Sequence, residues 1–129
     1  MKDLSIKDFS NLVYNKLSTL TYKKILSNPT AEDKEKELIE LHTPLKSIDR
    51  TENAFPIISS FKISITCWSE EQSKAMDMTS EVAAKLMELN LVGSNPNPTI
   101  HDTILQKYGI TVTFEVRYNS ITDSFQFIK

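Results

Sequence analysis

Residues 61–72 read Phe61-Lys62-Ile63-Ser64-Ile65-Thr66-Cys67-Trp68-Ser69-Glu70-Glu71-Gln72, and the fold turns on the change of period at Ser69. Phe61, Ile63, Ile65 and Cys67 alternate with Lys62, Ser64, Thr66 and Trp68. A period of two predicts a strand with one face inward and one outward. Ser69 ends the alternation, and Gln72 follows at the capping-box spacing that satisfies orphan backbone donors at a helix start. Glu70 and Glu71 suit the positive end of a helix dipole. Ala75, Thr79, Val82, Leu86 and Leu89 then recur at helical spacing, with Gly93 as the expected stop, so a helix is predicted over about residues 70–90.

Upstream, Leu4, Phe9, Leu12, Val13, Leu17 and Leu20 form a helical stripe, which predicts a first helix over roughly residues 3–19. Tyr22 to Leu26 is read as a short strand ended by Asn28-Pro29. Residues 30–40 carry a helix-start signal in Thr30 and Asp33, yet apolar residues arrive only from Leu38, so a mixed-charge loop leading into a strand fits better. From Leu38 to about Arg50 the chain is expected to be extended, at an edge or bulged because of Pro44. Residues 51–56 read as a connection.

Downstream, Asn95-Pro96-Asn97-Pro98 is a turn-rich connector, since each proline disfavours helix in its predecessor. A strand from roughly Thr99 to Lys107 is expected to turn at Lys107-Tyr108-Gly109, with Gly109 supplying a permissive dihedral. The returning strand puts Ile110, Val112, Phe114, Val116 and Tyr118 on one face. Phe125 and Phe127 stand at strand spacing in the last stretch. The order lacks strict β-α-β alternation, which predicts a single α+β domain over residues 1–129: a mainly antiparallel sheet of four to five strands with two helices packed on one face.

Composition excludes several chemistries. The glycines are Gly93 and Gly109 only, so neither a dinucleotide-binding nor a phosphate-cradling glycine motif can be written. One cysteine excludes an internal disulfide, and Cys67, His42 and His101 are too far apart for a local zinc motif, so no cofactor or metal is expected. With 15 basic against 17 acidic residues there is no basic footprint for nucleic acid. No apolar run approaches the roughly 20 residues of a membrane span, and the N-terminus lacks a signal-peptide pattern, so an intracellular, unprocessed chain is expected.

Candidate sites are few. Cys67 shares the apolar face of its strand and reads as a small buried hydrophobe. His42 and His101 have no adjacent carboxylate-serine arrangement, and His101 and Asp102 point to opposite strand faces. Met76, Met78 and Met87 read as core packing rather than an adaptable groove. Trp68 falls on the polar face of its strand. It is either covered, by the start of the second helix or by the C-terminal tail, or it contacts another subunit.

The segment from Arg50 to Met78, with the strand Phe61 to Trp68, the aromatic-serine step Trp68-Ser69 and the pair Ala75-Met76, resembles tail terminator proteins of long-tailed bacteriophages and related phage tail-like particles. The closing Thr113-Phe-Glu-Val-Arg-Tyr118 run and the N-terminal helix fit the same element order. The charged stretch at residues 30–37 departs from it. The resemblance implies a virion structural protein without an active site, assembled in the bacterial cytoplasm as a homo-oligomeric, usually hexameric ring. Such a ring ends tail tube polymerisation and docks the head. It implies tail tube protein and head-tail connector or neck proteins as partners, and DNA only in passage through the channel. The expected subunit-interface residues are Trp68, Phe125 and Phe127. Other readings open at this stage are a different neck protein, a small intracellular enzyme or a monomeric binding module.

Overall fold

The computed structural model describes residues 2–26, 28–30 and 32–128. Two long strands organise it: β4 (Phe55–Ser69) and β7 (Lys107–Asn119), paired antiparallel from Ile58 opposite Asn119 to Ser69 opposite Tyr108. The other elements in chain order are α1 (Ile6–Leu17), β1 (Lys23–Ile25), β2 (Glu37–Leu41), β3 (Leu45–Glu52), α2 (Gln72–Met87), β5 (Val92–Gly93), β6 (Ile100–Asp102) and β8 (Ser124–Gln126). The α+β class holds, but among the described residues the sheet has eight strands rather than four to five. Its path is β1-β2-β4-β7-β5, with β3 also on β4, and β6 and β8 also on β7. Among the described residues only β1 and β2 pair parallel. The extra strands come from the split of the Leu38–Arg50 run into β2 and β3 and from β5 and β8, whose two and three residues are too few for a periodicity test.

Phe61, Ile63, Ile65 and Cys67 lie inward as the alternation requires, with Val112, Phe114 and Val116 beside them on β7. Both helices add buried side chains to this cluster, Phe9, Val13 and Leu17 from α1 and Met78, Val82 and Leu86 from α2. Burying such side chains contributes about 1.5–3 kcal/mol each before chain entropy is counted. Phe9 stacks on Phe61 with ring centroids 4.5 Å apart, which anchors α1 over β4.

The expected connection at residues 51–56 is a tight hairpin instead, with Glu52 paired to Phe55. Asn53 and Ala54 both take left-handed dihedrals, φ 50° and 65°, the geometry of a type I′ turn. Alanine rather than glycine at the second position hides the signal. Ala54→Gly is therefore expected to stabilise the protein by about 0.5–1 kcal/mol, by relieving the left-handed Cβ strain, and the urea unfolding midpoint reads this out.

The extended run from Leu38 breaks at residues 42–44, so β2 and β3 lie end to end along the same side of β4. The His42 amide donates to the Ser64 carbonyl at 3.0 Å and keeps the ribbon paired across the break. β3 is bulged between Ile48 and Thr51.

Helix and turn ends need four corrections. Ser69 does not complete a capping box: its Oγ accepts from the Glu71 amide at 3.1 Å, and α2 begins at Gln72. Gly93 does not stop α2. Asn90 does, at φ 65°, with the Leu91 amide closing back on the Leu86 carbonyl at 3.1 Å. Gly109 is inside β7, and the turn lies upstream with Gln106 at φ 56°. The strand expected from Thr99 to Lys107 is accordingly only Ile100–Asp102. Neither glycine has a positive φ; each is small because an aromatic ring lies where a Cβ would stand, Phe114 at Gly93 and Trp68 at Gly109.

Candidate functional site

Trp68 falls on the sheet face opposite the core cluster, as its parity requires, yet it is only 6% exposed. Part of its cover comes from the sheet itself. Leu38 and Gly109 are its cross-strand neighbours, and its ring occupies the space over Gly109. Its indole Nε1 donates to Glu40 Oε1 at 3.0 Å. Of the two readings left open for Trp68, the protomer shows the covered one.

Glu40 is buried, and its other oxygen faces His42 Nε2 at 3.6 Å. The same nitrogen lies 3.0 Å from Thr66 Oγ1, and Thr66 continues to Thr111 Oγ1 at 2.7 Å. Carboxylate, imidazole and hydroxyl thus meet, but both contacts use one ring nitrogen. A nucleophile triad needs the acid and the hydroxyl on opposite nitrogens so that a proton can cross the ring. Thr66 is moreover buried beneath the imidazole. The arrangement is a hydrogen-bonded knot rather than a relay. Sequence reading missed it, although Glu40 and His42, two apart on an extended segment, share a face.

The remaining candidates separate. His101 lies against Tyr108, ring centroids 4.7 Å apart, and Asp102 turns away to accept from the Ile104 and Leu105 amides, both at 2.9 Å. Cys67 is buried as a small hydrophobe, and removal from water pushes its thiol up to about 12. The methionines divide: Met78 is in the core, whereas Met76 and Met87 are exposed. Among the described residues no three His, Cys, Asp or Glu side chains gather as a metal site. No described helix is long and apolar enough to cross a membrane.

Of the charged stretch at residues 30–37, the described residues up to Lys36 form a loop tied to the sheet end, Glu37 already belongs to β2, and Ala31 lies outside the described residues. Asp33 accepts from the Thr30 amide at 2.7 Å, and this bond, helped by Lys23 at 3.6 Å, holds its carboxyl below the ordinary range. The nearly buried Lys107 reaches the Asp33 carbonyl at 3.4 Å.

Phe125 belongs largely to the core edge, 5.4 Å from Tyr118 and 6.1 Å from Phe9 between ring centroids. Phe127, past the end of β8, is 50% exposed. Exposed apolar side chains also occur away from the sheet margins, among them Leu26, Met76 and Met87 of α2, and Ile104 in the turn before β7. On one margin of the sheet β3 exposes Leu45 (68%) and Ile48; on the opposite margin Val92 of β5 and Ile100 of β6 (55%) are exposed with Phe127. β3 is exposed along nearly its whole length and pairs on one side only. Its extended edge position was expected from the run Leu38 to about Arg50, but Asp49, Arg50 and Glu52 mask its exposed apolar residues. A cleft of about 560 Å³ lies between α1 and the β2–β3 break, with Ile6, Lys7, Leu26, His42 and Pro44 on its walls. No known protein-family model matches this sequence, and no curated protein is significantly similar to it.

Proposed function

We propose that this chain is a virion structural protein that closes into a ring at the head-proximal end of a phage tail, ends tail tube polymerisation and offers the surface on which the head docks. The observation that carries the reading is the pair of apolar margins. A ring of identical subunits uses a heterologous contact, in which each copy offers two different surfaces that meet head to tail. Leu45 and Ile48 lie along the β3 margin, one toward each face, and Val92, Phe127 and, farther along β7, Ile100 lie along the opposite margin, so the two margins differ. With the helices gathered on one side, the margins and the hydroxyl-rich opposite face remain for neighbours.

The resemblance of residues 50–78 to tail terminators supports the same reading and supplies its hexameric stoichiometry, its tail tube and neck partners and its place in the virion. The net charge of −2 suits a channel that lets DNA phosphates pass without gripping them. Of the three residues expected at the subunit interface, Phe127 keeps that role here; Trp68 and Phe125 act from inside the protomer, by holding the sheet that presents the margins.

Sedimentation of the purified protein across a concentration series tests the proposal. A hexamer-sized species is expected, and the double change Leu45→Glu with Ile48→Glu is expected to weaken association at least about tenfold while leaving the urea midpoint nearly unchanged, because a carboxylate buried without a partner opposes docking. A strictly monomeric protein, with and without tail tube protein, overturns the reading. So does a ring indifferent to the double change.

A further inference from the structure

We propose that His42 and Glu40 form a pH-sensitive latch that couples the solvent-facing cleft beside α1 to the packing of Trp68 at the centre of the sheet. His42 is the accessible half of the pair, with its side chain 39% exposed on the cleft wall, whereas the Glu40 side chain is 6% exposed. Glu40 uses one oxygen for the Trp68 indole at 3.0 Å and turns the other to His42 at 3.6 Å, so any movement toward the imidazole pulls on the indole.

Neutral imidazole has one N–H and one lone pair. At Nε2 it can serve either Thr66 Oγ1 at 3.0 Å or the carboxylate, not both well. Protonation makes Nε2 a charged donor beside a buried anion and within reach of two acceptors. The carboxylate then draws in toward the imidazolium, and the Thr66 hydroxyl, already 2.7 Å from Thr111, is left to donate there. The movement does not dissipate at Trp68. Its ring lies so close over Gly109 that a Cβ there would stand 2.6 Å from it, so a shift of the indole passes directly to β7.

The charged groups facing His42 are Glu40 from β2 and Lys7 across the cleft from α1. β4 presents Ser64 and Thr66, β7 presents Thr111, and Leu26 follows β1; none of these titrates near neutrality.

Trp68 is the only tryptophan, so the indole N–H gives one resonance in a nitrogen-proton correlation spectrum. As the pH is lowered through the ordinary imidazole range, that resonance is expected to move in step with the His42 ring resonances and not with those of His101. His42→Gln and Glu40→Gln are each expected to remove most of the movement, and His101→Gln to keep it. An indole resonance that stays fixed over this range, that follows His101, or that still titrates in folded His42→Gln overturns the proposal. If His42→Gln fails to fold, shared or separate midpoints of the indole and His42 in the unaltered protein decide between the same two outcomes.

Discussion

Gly109→Ala is expected to lower stability by about 3 kcal/mol, the upper end of what overpacking one carbon usually costs. The added Cβ would stand 2.6 and 2.7 Å from Cζ3 and Cε3 of Trp68 and 2.9 Å from Cη2. The ring has little freedom to withdraw. Its Nε1 is held by buried Glu40 at 3.0 Å, and fully buried Leu38 is its other cross-strand neighbour. Moving the indole would stretch a hydrogen bond to a buried carboxylate, and moving the backbone would disturb the register of β4 and β7. Gly93→Ala makes a useful contrast. There a Cβ would meet the Phe114 ring edge at 2.9 Å and a Val112 methyl at 3.0 Å, on a two-residue strand at the sheet margin that can give way. It is expected to cost about half as much or less. Urea unfolding of both variants measures the two losses. A second check is coupling: Gly109→Ala should be far less costly when Trp68 is already Leu, since the clash is then absent. A loss below about 1 kcal/mol for Gly109→Ala, or additivity in the double variant, would show that the indole is free to move.

What the sequence made legible was whatever depended on a period sustained along the chain. The alternation from Phe61 to Cys67 and the stripe from Ala75 to Leu86 each repeat often enough to name an element and its buried face. Elements held by pairing alone left no such trace. β5 exists because β7 offers it a hydrogen-bonding edge, and its two residues carry no pattern of their own, while β6 keeps only three residues of the longer strand expected from Thr99. The turns were obscured for a different reason. Asn53-Ala54, Asn90 and Gln106 take left-handed dihedrals without glycine, while the two glycines that looked like turn residues are small for the sake of aromatic rings far away in sequence. The site followed the same rule. Parity placed Trp68 on the correct face, but its cover depends on Glu40, 28 residues earlier, and on a strand register that no local signal fixes. Phe125 and Phe127 looked equivalent by spacing and are not, because only Phe125 reaches Phe9 and Tyr118.

Cys67 is expected to react with thiol reagents at pH 8 about a thousandfold more slowly in the folded protein than in urea. The reactive species is the thiolate, and desolvation beneath α2 pushes this thiol up to about 12, an effect reinforced by the Glu81 charge and partly offset by the Thr79 hydroxyl. An unfolded thiol titrates near 8.5, so the thiolate populations at pH 8 differ by about three orders of magnitude. Burial of the sulfur slows the reaction further, so labelling reports transient opening of the core rather than surface chemistry. The same shift gives stability an alkaline slope. The folded thiol keeps its proton to higher pH than the unfolded one, so the contribution is complete below about pH 8.5 and is lost as pH rises toward 12. Tyr118, also pushed up to about 12 by burial and then by its bond to Asp123, adds to the slope only above about pH 10, where unfolded phenols ionise. Between about pH 8.5 and 10 the fall therefore belongs mainly to Cys67, at up to about 1.4 kcal/mol per pH unit. Cys67→Ala lowers stability at pH 7 through the lost sulfur but should flatten that interval. Fast labelling of the folded protein, or an unchanged slope in Cys67→Ala, would place the sulfur within reach of water and contradict the packing of α2 on β4.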